Sequence, residues 1–194
     1  MLDRAWLKRH LFRGIITIFS LSLGLLLYAP INAQTLVGPF KTYNDQYGRF
    51  SIQVPKDWTV GSPSIKQDSV TVDFSPNDYP NNNDDILFIV SSGDRHETVS
   101  EADFEQVIKE QNTDTVQSLP GATLIQDTEC TKYVIDGNKA CSMIYGVTNG
   151  SYTQKEMDVD FQTGKQSVSI SVQGSDFDKY LPIANQMLNS MKAA

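Results

Sequence analysis

Few side chains in this sequence occur in the combinations that chemistry requires. His96 is the one histidine beyond residue 33. A Ser–His–Asp site needs a nucleophile presented on a strained elbow with a base held beside it, and no such motif surrounds any serine here. His96 therefore reads as a solvated loop residue, and one histidine is too few for a histidine-rich metal site. Asp78, Asn81, Asn82, Asn83, Asp84 and Asp85 crowd oxygen donors into one loop. Calcium takes about six to eight such ligands, but the spacing departs from the EF-hand loop. Asp78, Asp84 and Asp85 thus stand as candidate calcium ligands beside the plainer reading of a solvated loop. Asn149-Gly150-Ser151 is a glycosylation sequon on a predicted turn, and Asn-Gly is equally the dipeptide a hairpin turn prefers. No catalytic residue and no cofactor-binding residue is assigned, and calcium is the one candidate ion.

Cys130 and Cys141 are the two cysteines of the chain. A metal site would need further ligands nearby, and none are present. In an exported chain the even count points to a disulfide, closing a 12-residue loop.

Export is what the N-terminus predicts. Arg4, Lys8, Arg9 and Arg13 form a basic start, residues 14–28 form an apolar run of 15, and Ala33 ends a plausible cleavage site. That is the layout of a signal peptide over residues 1–33, with an uncleaved anchor as the alternative. Cleavage would remove 4 of the 16 Lys+Arg and one of the 23 Asp+Glu, leaving 12 basic against 22 acidic residues and a net charge of −10. Such a surface repels nucleic acid and anionic membrane and favours a basic partner. The expected location is extracytoplasmic, with membrane contact only through an uncleaved signal segment.

The elements that would position any site follow from periodicity. Residues 34–42 are a lead-in, and residues 43–194 a single α+β domain. Phe50, Ile52 and Val54 alternate to one face of a strand that Pro55 stops, and Trp58 anchors the core. Residues 57–60 predict a short strand, 61–68 a polar loop, and 69–74 a strand with Val70, Val72 and Phe74 inward. Residues 86–90 are apolar on both parities, which predicts a central strand covered on both faces. Ser100 is the expected N-cap of a helix over 101–111 with Phe104, Val107 and Ile108 as its stripe. Strands follow over 122–127 and 131–135. Asp136-Gly137 then turns a hairpin in which paired residue numbers sum to 273. In that register Cys130 faces Met143 and Cys141 faces Lys132, so a bulge or local twist must close the bridge. The next turns are expected at 149–150 and 162–165, the latter pairing Val159 with Val168 and Met157 with Ile170. Asp158, Asp160, Ser167, Ser169 and Ser171 then share one polar face. A final helix is expected to start near Leu181, with Pro182 in its first turn.

Taken together, the chain resembles the PsbP family, the extrinsic photosystem II subunits and their relatives. The stretch Tyr47-Gly48-Arg49-Phe50-Ser51-Ile52-Gln53-Val54-Pro55-Lys56-Asp57-Trp58 is similar to the family's aromatic–Gly–Phe–strand–Pro–x–x–Trp opening. The closing Tyr180-Leu181-Pro182-Ile183-Ala184 through Met187-Leu188-Asn189-Ser190-Met191 resembles its last helix. The resemblance implies an α–β–α sandwich around a mostly antiparallel sheet. It also implies a non-catalytic accessory or binding protein, an extrinsic membrane-associated subunit acting on an unknown protein partner at the outer face of a membrane. The family's long N-terminal extension is missing between Ala33 and the opening motif, so photosystem docking is not carried over. Metal binding attributed to the family falls on no named residue here. The alternatives are a calcium-responsive surface protein using residues 78–85 and a small extracytoplasmic hydrolase with an unrecognised site.

Overall fold

Alternating apolar residues need a partner layer, and among the described residues two sheets and two helices supply it. The structure is a computed structural model that describes residues 38–66, 68–77, 85–94, 99–164 and 166–194. The signal segment, Asp78, Asp84, the asparagines between them and His96 lie outside the described residues. Strands β1 (Phe40–Asn44), β2 (Phe50–Pro55) and β11 (Lys192–Ala193) form a three-stranded sheet in the order β1-β2-β11. The large sheet contains β3 (Trp58–Val60), β4 (Ser64–Lys66), β5 (Ser69–Pro76), β6 (Leu87–Asp94), β7 (Ala122–Ile135), β8 (Asn138–Asn149), β9 (Tyr152–Gln162) and β10 (Gln166–Gly174). Its order is β3-β5-β6-β10-β9-β8-β7, with β4 beside β5, and its pairings are antiparallel. Helix α1 (Glu101–Ser118) joins β6 to β7, and α2 (Phe177–Ser190) follows β10. Because β10, β9 and β8 separate β6 from β7, the α1 connection must carry the chain across the sheet.

One face of the sheet holds the main core. Val70, Val72 and Phe74, then Ile86, Phe88 and Val90, then Met157, Val159 and Phe161, then Val168, Ile170 and Val172 are all buried there. Helix α2 covers them with Phe177, Tyr180, Ile183, Ala184, Met187 and Leu188, and β2 adds Phe50, Ile52 and Val54. Trp58 belongs to this core, meeting Tyr180 edge to face at 5.9 Å. Each such side chain contributes about 1.5–3 kcal/mol when fully buried. Ser190 ties the last helix to the small sheet: its Oγ accepts from Gln53 N at 2.9 Å and donates to the Met187 carbonyl at 2.7 Å.

Several expectations are corrected. The loop expected over 61–68 contains β4. Ile86, Phe88 and Val90 are fully buried, while Leu87 and Ile89 on the other parity are only half-buried, since α1 packs chiefly on β7 and β8. Helix α1 runs on to Ser118, Val107 is 44% exposed, and the third buried position after Phe104 and Ile108 is Asn112. Ser100 is the N-cap, its Oγ accepting from Asp103 N at 3.2 Å. Helix α2 begins at Phe177, with Pro182 inside it and exposed. Burial of Phe177 and Tyr180 in the core outweighs the hydrogen bond that proline forgoes. The β9–β10 register is displaced by two residues, pairing Val159 with Ile170 and Met157 with Val172. A two-residue displacement keeps every side chain on its expected face.

The β7–β8 hairpin has the expected two-residue turn, with Asp136 at φ 51° and Gly137 at φ 81°. Near the turn Ile135, Val134 and Tyr133 face Asn138, Lys139 and Ala140. Further out Glu129 faces Ser142, two residues out of that register, so β7 bulges between 129 and 133. The bulge sets Cys130 across from Cys141, and their sulfurs are bonded. Both cysteines are buried against Phe104 and Ile108, so the disulfide is the seat of the N-terminal half of α1. Replacing both cysteines by serine should cost about 2–3 kcal/mol of unfolding free energy. Urea titration of wild type and the double variant checks this, with earlier amide exchange expected in α1 than in α2.

Candidate functional site

Beyond the apolar seat of α1, the same face of the sheet turns polar. Glu156, Asp158 and Asp160 alternate along β9 with the buried Met157, Val159 and Phe161, so the three carboxylates share one face. The ladder fixes their neighbours. Asp160 lies between Cys141 and Ser169, Asp158 between Met143 and Ser171, and Glu156 between Tyr145 and Gln173. Ser171 Oγ donates to Glu156 Oε1 at 2.6 Å. Ser169 hydrogen-bonds Asp160. The row continues through Ser91, whose Oγ lies 2.9 Å from Thr71 Oγ1.

The C-terminal half of α1 stands over this row. Gln111, Asn112, Asp114 and Thr115 from the helix, with Asp158, Asp160 and Ser169 from the sheet, enclose a cleft of about 430 Å³. Among the described residues, none of the ion pairs reaches Glu156, Asp158 or Asp160. Burial pushes the Asp158 carboxyl up to about 7, helped by the charges of Glu156 and Asp160 and opposed by the bond from Ser171. Burial also raises Asp160, against the bond from Ser169. The Tyr145 phenol is raised by burial, then by Asp158 and Glu156. The cleft thus combines like charges and low solvation with no balancing cation among the described residues, which makes it rich in hydrogen-bond acceptors.

The other sequence candidates lie elsewhere. Asp85 binds the start of β6 to α2: its N–H donates to Asp176 Oδ2 at 2.8 Å, and its Oδ2 accepts from Ser175 N at 3.3 Å. Asn149 is exposed at the β8–β9 turn. Among the described residues no group of three or more His, Cys, Asp or Glu is placed to hold a metal ion. Sequence reasoning recognised the polar face of Asp158 and Asp160 but gave it no role. The usable signal was Asn112, a polar residue at the position where the apolar stripe of α1 continues.

This arrangement, two helices on a mostly antiparallel sheet, is a PsbP-like fold. No known family profile matches the chain, and neither does any curated protein. Among solved structures, it is similar to cyanobacterial PsbP (CyanoP) from Synechocystis sp. PCC 6803, with 15% identity, a TM-score of 0.54, and coverage of 86% of this chain and 100% of that one. LpqN of Mycobacterium tuberculosis, described as involved in cell envelope biogenesis, is similar at 12% identity and a TM-score of 0.50 over 79% of this chain and 90% of its own. A protein of Bacteroides thetaiotaomicron matches at 14% identity and a TM-score of 0.50, over 79% of this chain and 48% of that one.

Proposed function

We propose that the protein is an exported, non-catalytic accessory protein that binds a protein partner at the outer face of a membrane. The observation that carries this reading is the likeness to cyanobacterial PsbP over the whole length of that protein. The buried disulfide supports an oxidising, extracytoplasmic compartment. The residues facing the two helices support the α–β–α sandwich: α1 rests on Cys130 and Cys141, while α2 rests on the neighbouring parity of the same strands. Among the described residues no helix is long and apolar enough to cross a membrane, so attachment is assigned to the partner or to the segment over 14–28. In a host that glycosylates exported proteins, Asn149 would be accessible to the enzyme.

The test is affinity capture of the full chain from its own host's membranes, with the N-terminus of the recovered protein determined. A chain beginning at Gln34 that brings down a defined membrane-associated protein is the expected result. A chain that begins at Met1 in the cytoplasmic fraction, or that returns no stoichiometric partner, overturns the reading.

A further inference from the structure

We propose that the Cys130–Cys141 bond is a redox latch on strand register. It holds residues 122–130 of β7 away from the register that the Asp136-Gly137 turn sets, and reduction by a dithiol lets this segment slide and carry α1 with it. The inference goes beyond the accessory-binding reading.

The first observation is that two signals disagree along one strand. The turn pairs residues whose numbers sum to 273, and Ile135, Val134 and Tyr133 obey it. Cys130 and Cys141 sum to 271, as do Glu129 and its partner Ser142. The bulge between 129 and 133 is where β7 passes from the first register to the second. Shifts at 124–126 and 126–129 carry the pairing further the same way.

The second observation is that burial does not hold the displaced part. Register is strongly specified where one face of a strand is buried and weakly where none is. From Ala122 to Glu129 no residue of β7 is buried, whereas Tyr133 and Ile135, beyond the bulge, are fixed in the main core. β7 is also an edge of the sheet, with β8 its one strand partner among the described residues, so it can slide without breaking a second ladder. A two-residue slide moves the segment about 6.5–7 Å and keeps each side chain on its face. It brings Cys130 opposite Met143.

The helix must follow. Leu119, Pro120 and Gly121 alone separate α1 from β7. Asn112 Nδ2 donates to Thr128 Oγ1 at 3.0 Å, tying the helix to the sliding segment. Phe104 and Ile108 rest on the two cysteines in a cluster apart from the main core. Breaking the bond therefore releases the register and loosens the seat of α1 together, uncovering the polar face of β9.

The step is thiol–disulfide exchange. A thiolate of the dithiol attacks Cys130 Sγ, the less deeply buried of the pair, and Cys141 leaves as a thiolate. The reagent's second thiol then displaces Cys130. Two electrons and two protons pass to the protein, and the dithiol becomes a disulfide. Local opening of the edge strand admits the reagent.

The experiment is hydrogen exchange of the full-length chain when oxidised, after excess dithiothreitol, and after reoxidation with oxidised glutathione. Amides of α1 and of residues 122–130 should exchange about tenfold faster or more in the reduced protein, while those of α2 and β10 stay unchanged. Reoxidation should restore the first pattern. The register is read separately with Cys141→Ala/Met143→Cys. On oxidation this variant should form a bond from Cys130 to the thiol placed at position 143, found by peptide mapping, because the relaxed register brings those positions face to face. Unchanged exchange in α1 on reduction, equally accelerated exchange in α2 and β10, or absence of the 130–143 bond overturns the proposal.

Discussion

Asp158→Asn should stabilise the protein at pH 8 by about 2–4 kcal/mol and leave it nearly unchanged at pH 3.5. The ordinary carboxyl titrates near 3.8, and in the fold Asp158 is pushed up to about 7 by burial and by its neighbours Glu156 and Asp160. A folded pKa above the unfolded one means that the native state binds the proton more tightly. Below the lower value both states are protonated and ionisation costs nothing. As pH rises through the interval from 3.8 to about 7, the unfolded chain gains charge that the fold resists, and stability falls. Each pH unit of difference corresponds to about 1.4 kcal/mol. Asparagine removes the charge while keeping the shape, so the variant should lack this decline. Urea midpoints across pH 3.5–8 check the prediction. Parallel curves for the two proteins would mean that Asp158 is solvated and its neighbours do not repel it.

Gly174→Ala should have a large effect in the opposite direction, a loss of about 3 kcal/mol or more. A Cβ at this position would lie 1.9 Å from the Asp85 carbonyl oxygen and 2.7 Å from its carbon. The obstacle is backbone, which cannot rotate aside as a side chain can. The same carbonyl accepts from Asp176 N at 3.2 Å, and Asp85 N donates to Asp176 Oδ2 at 2.8 Å. Separating the strands here would therefore also loosen the start of α2. Thermal unfolding should report a lowered Tm. A substitution that leaves Tm unchanged would show that β10 and the start of β6 do not approach each other as closely as this.

The reach of the sequence can be traced through particular residues. Phe50, Ile52 and Val54, and likewise Val70, Val72 and Phe74, are buried as their alternation predicts, because side-chain direction along a strand is a local property. The Asp136-Gly137 turn and the Ser100 cap are legible for the same reason: each needs only residues within a few positions. The turn even made clear that the cysteines could bond only across a bulge or a local twist, and the structure uses the bulge. Errors arise where a distant contact outweighs a local preference. Pro182 argues for a late helix start, but Phe177 and Tyr180 find the core and the helix begins with them. Val107 has the right spacing for the stripe of α1, yet the helix turns Asn112 inward and leaves Val107 in water.

The candidate cleft shows the same division. That Asp158 and Asp160 share a face with Ser169 and Ser171 follows from alternation, and survives a two-residue change of register. That Asn112 stands over them does not follow from any local rule. It requires β6 to pair with β10, so that the chain between β6 and β7 must pass over the sheet, and it requires the disulfide to seat one end of that helix. By itself the sequence determined most of the strands and their inward faces, the tight turn, the acidic balance and the likeness to the PsbP family. The tertiary structure decided which polar face is covered, which carboxylate is driven towards neutrality and which helix residue, Asn112, comes to stand over them. The reason is physical: direction along a strand is set by neighbouring residues, whereas desolvation is set by whatever distant part of the chain comes to lie above it.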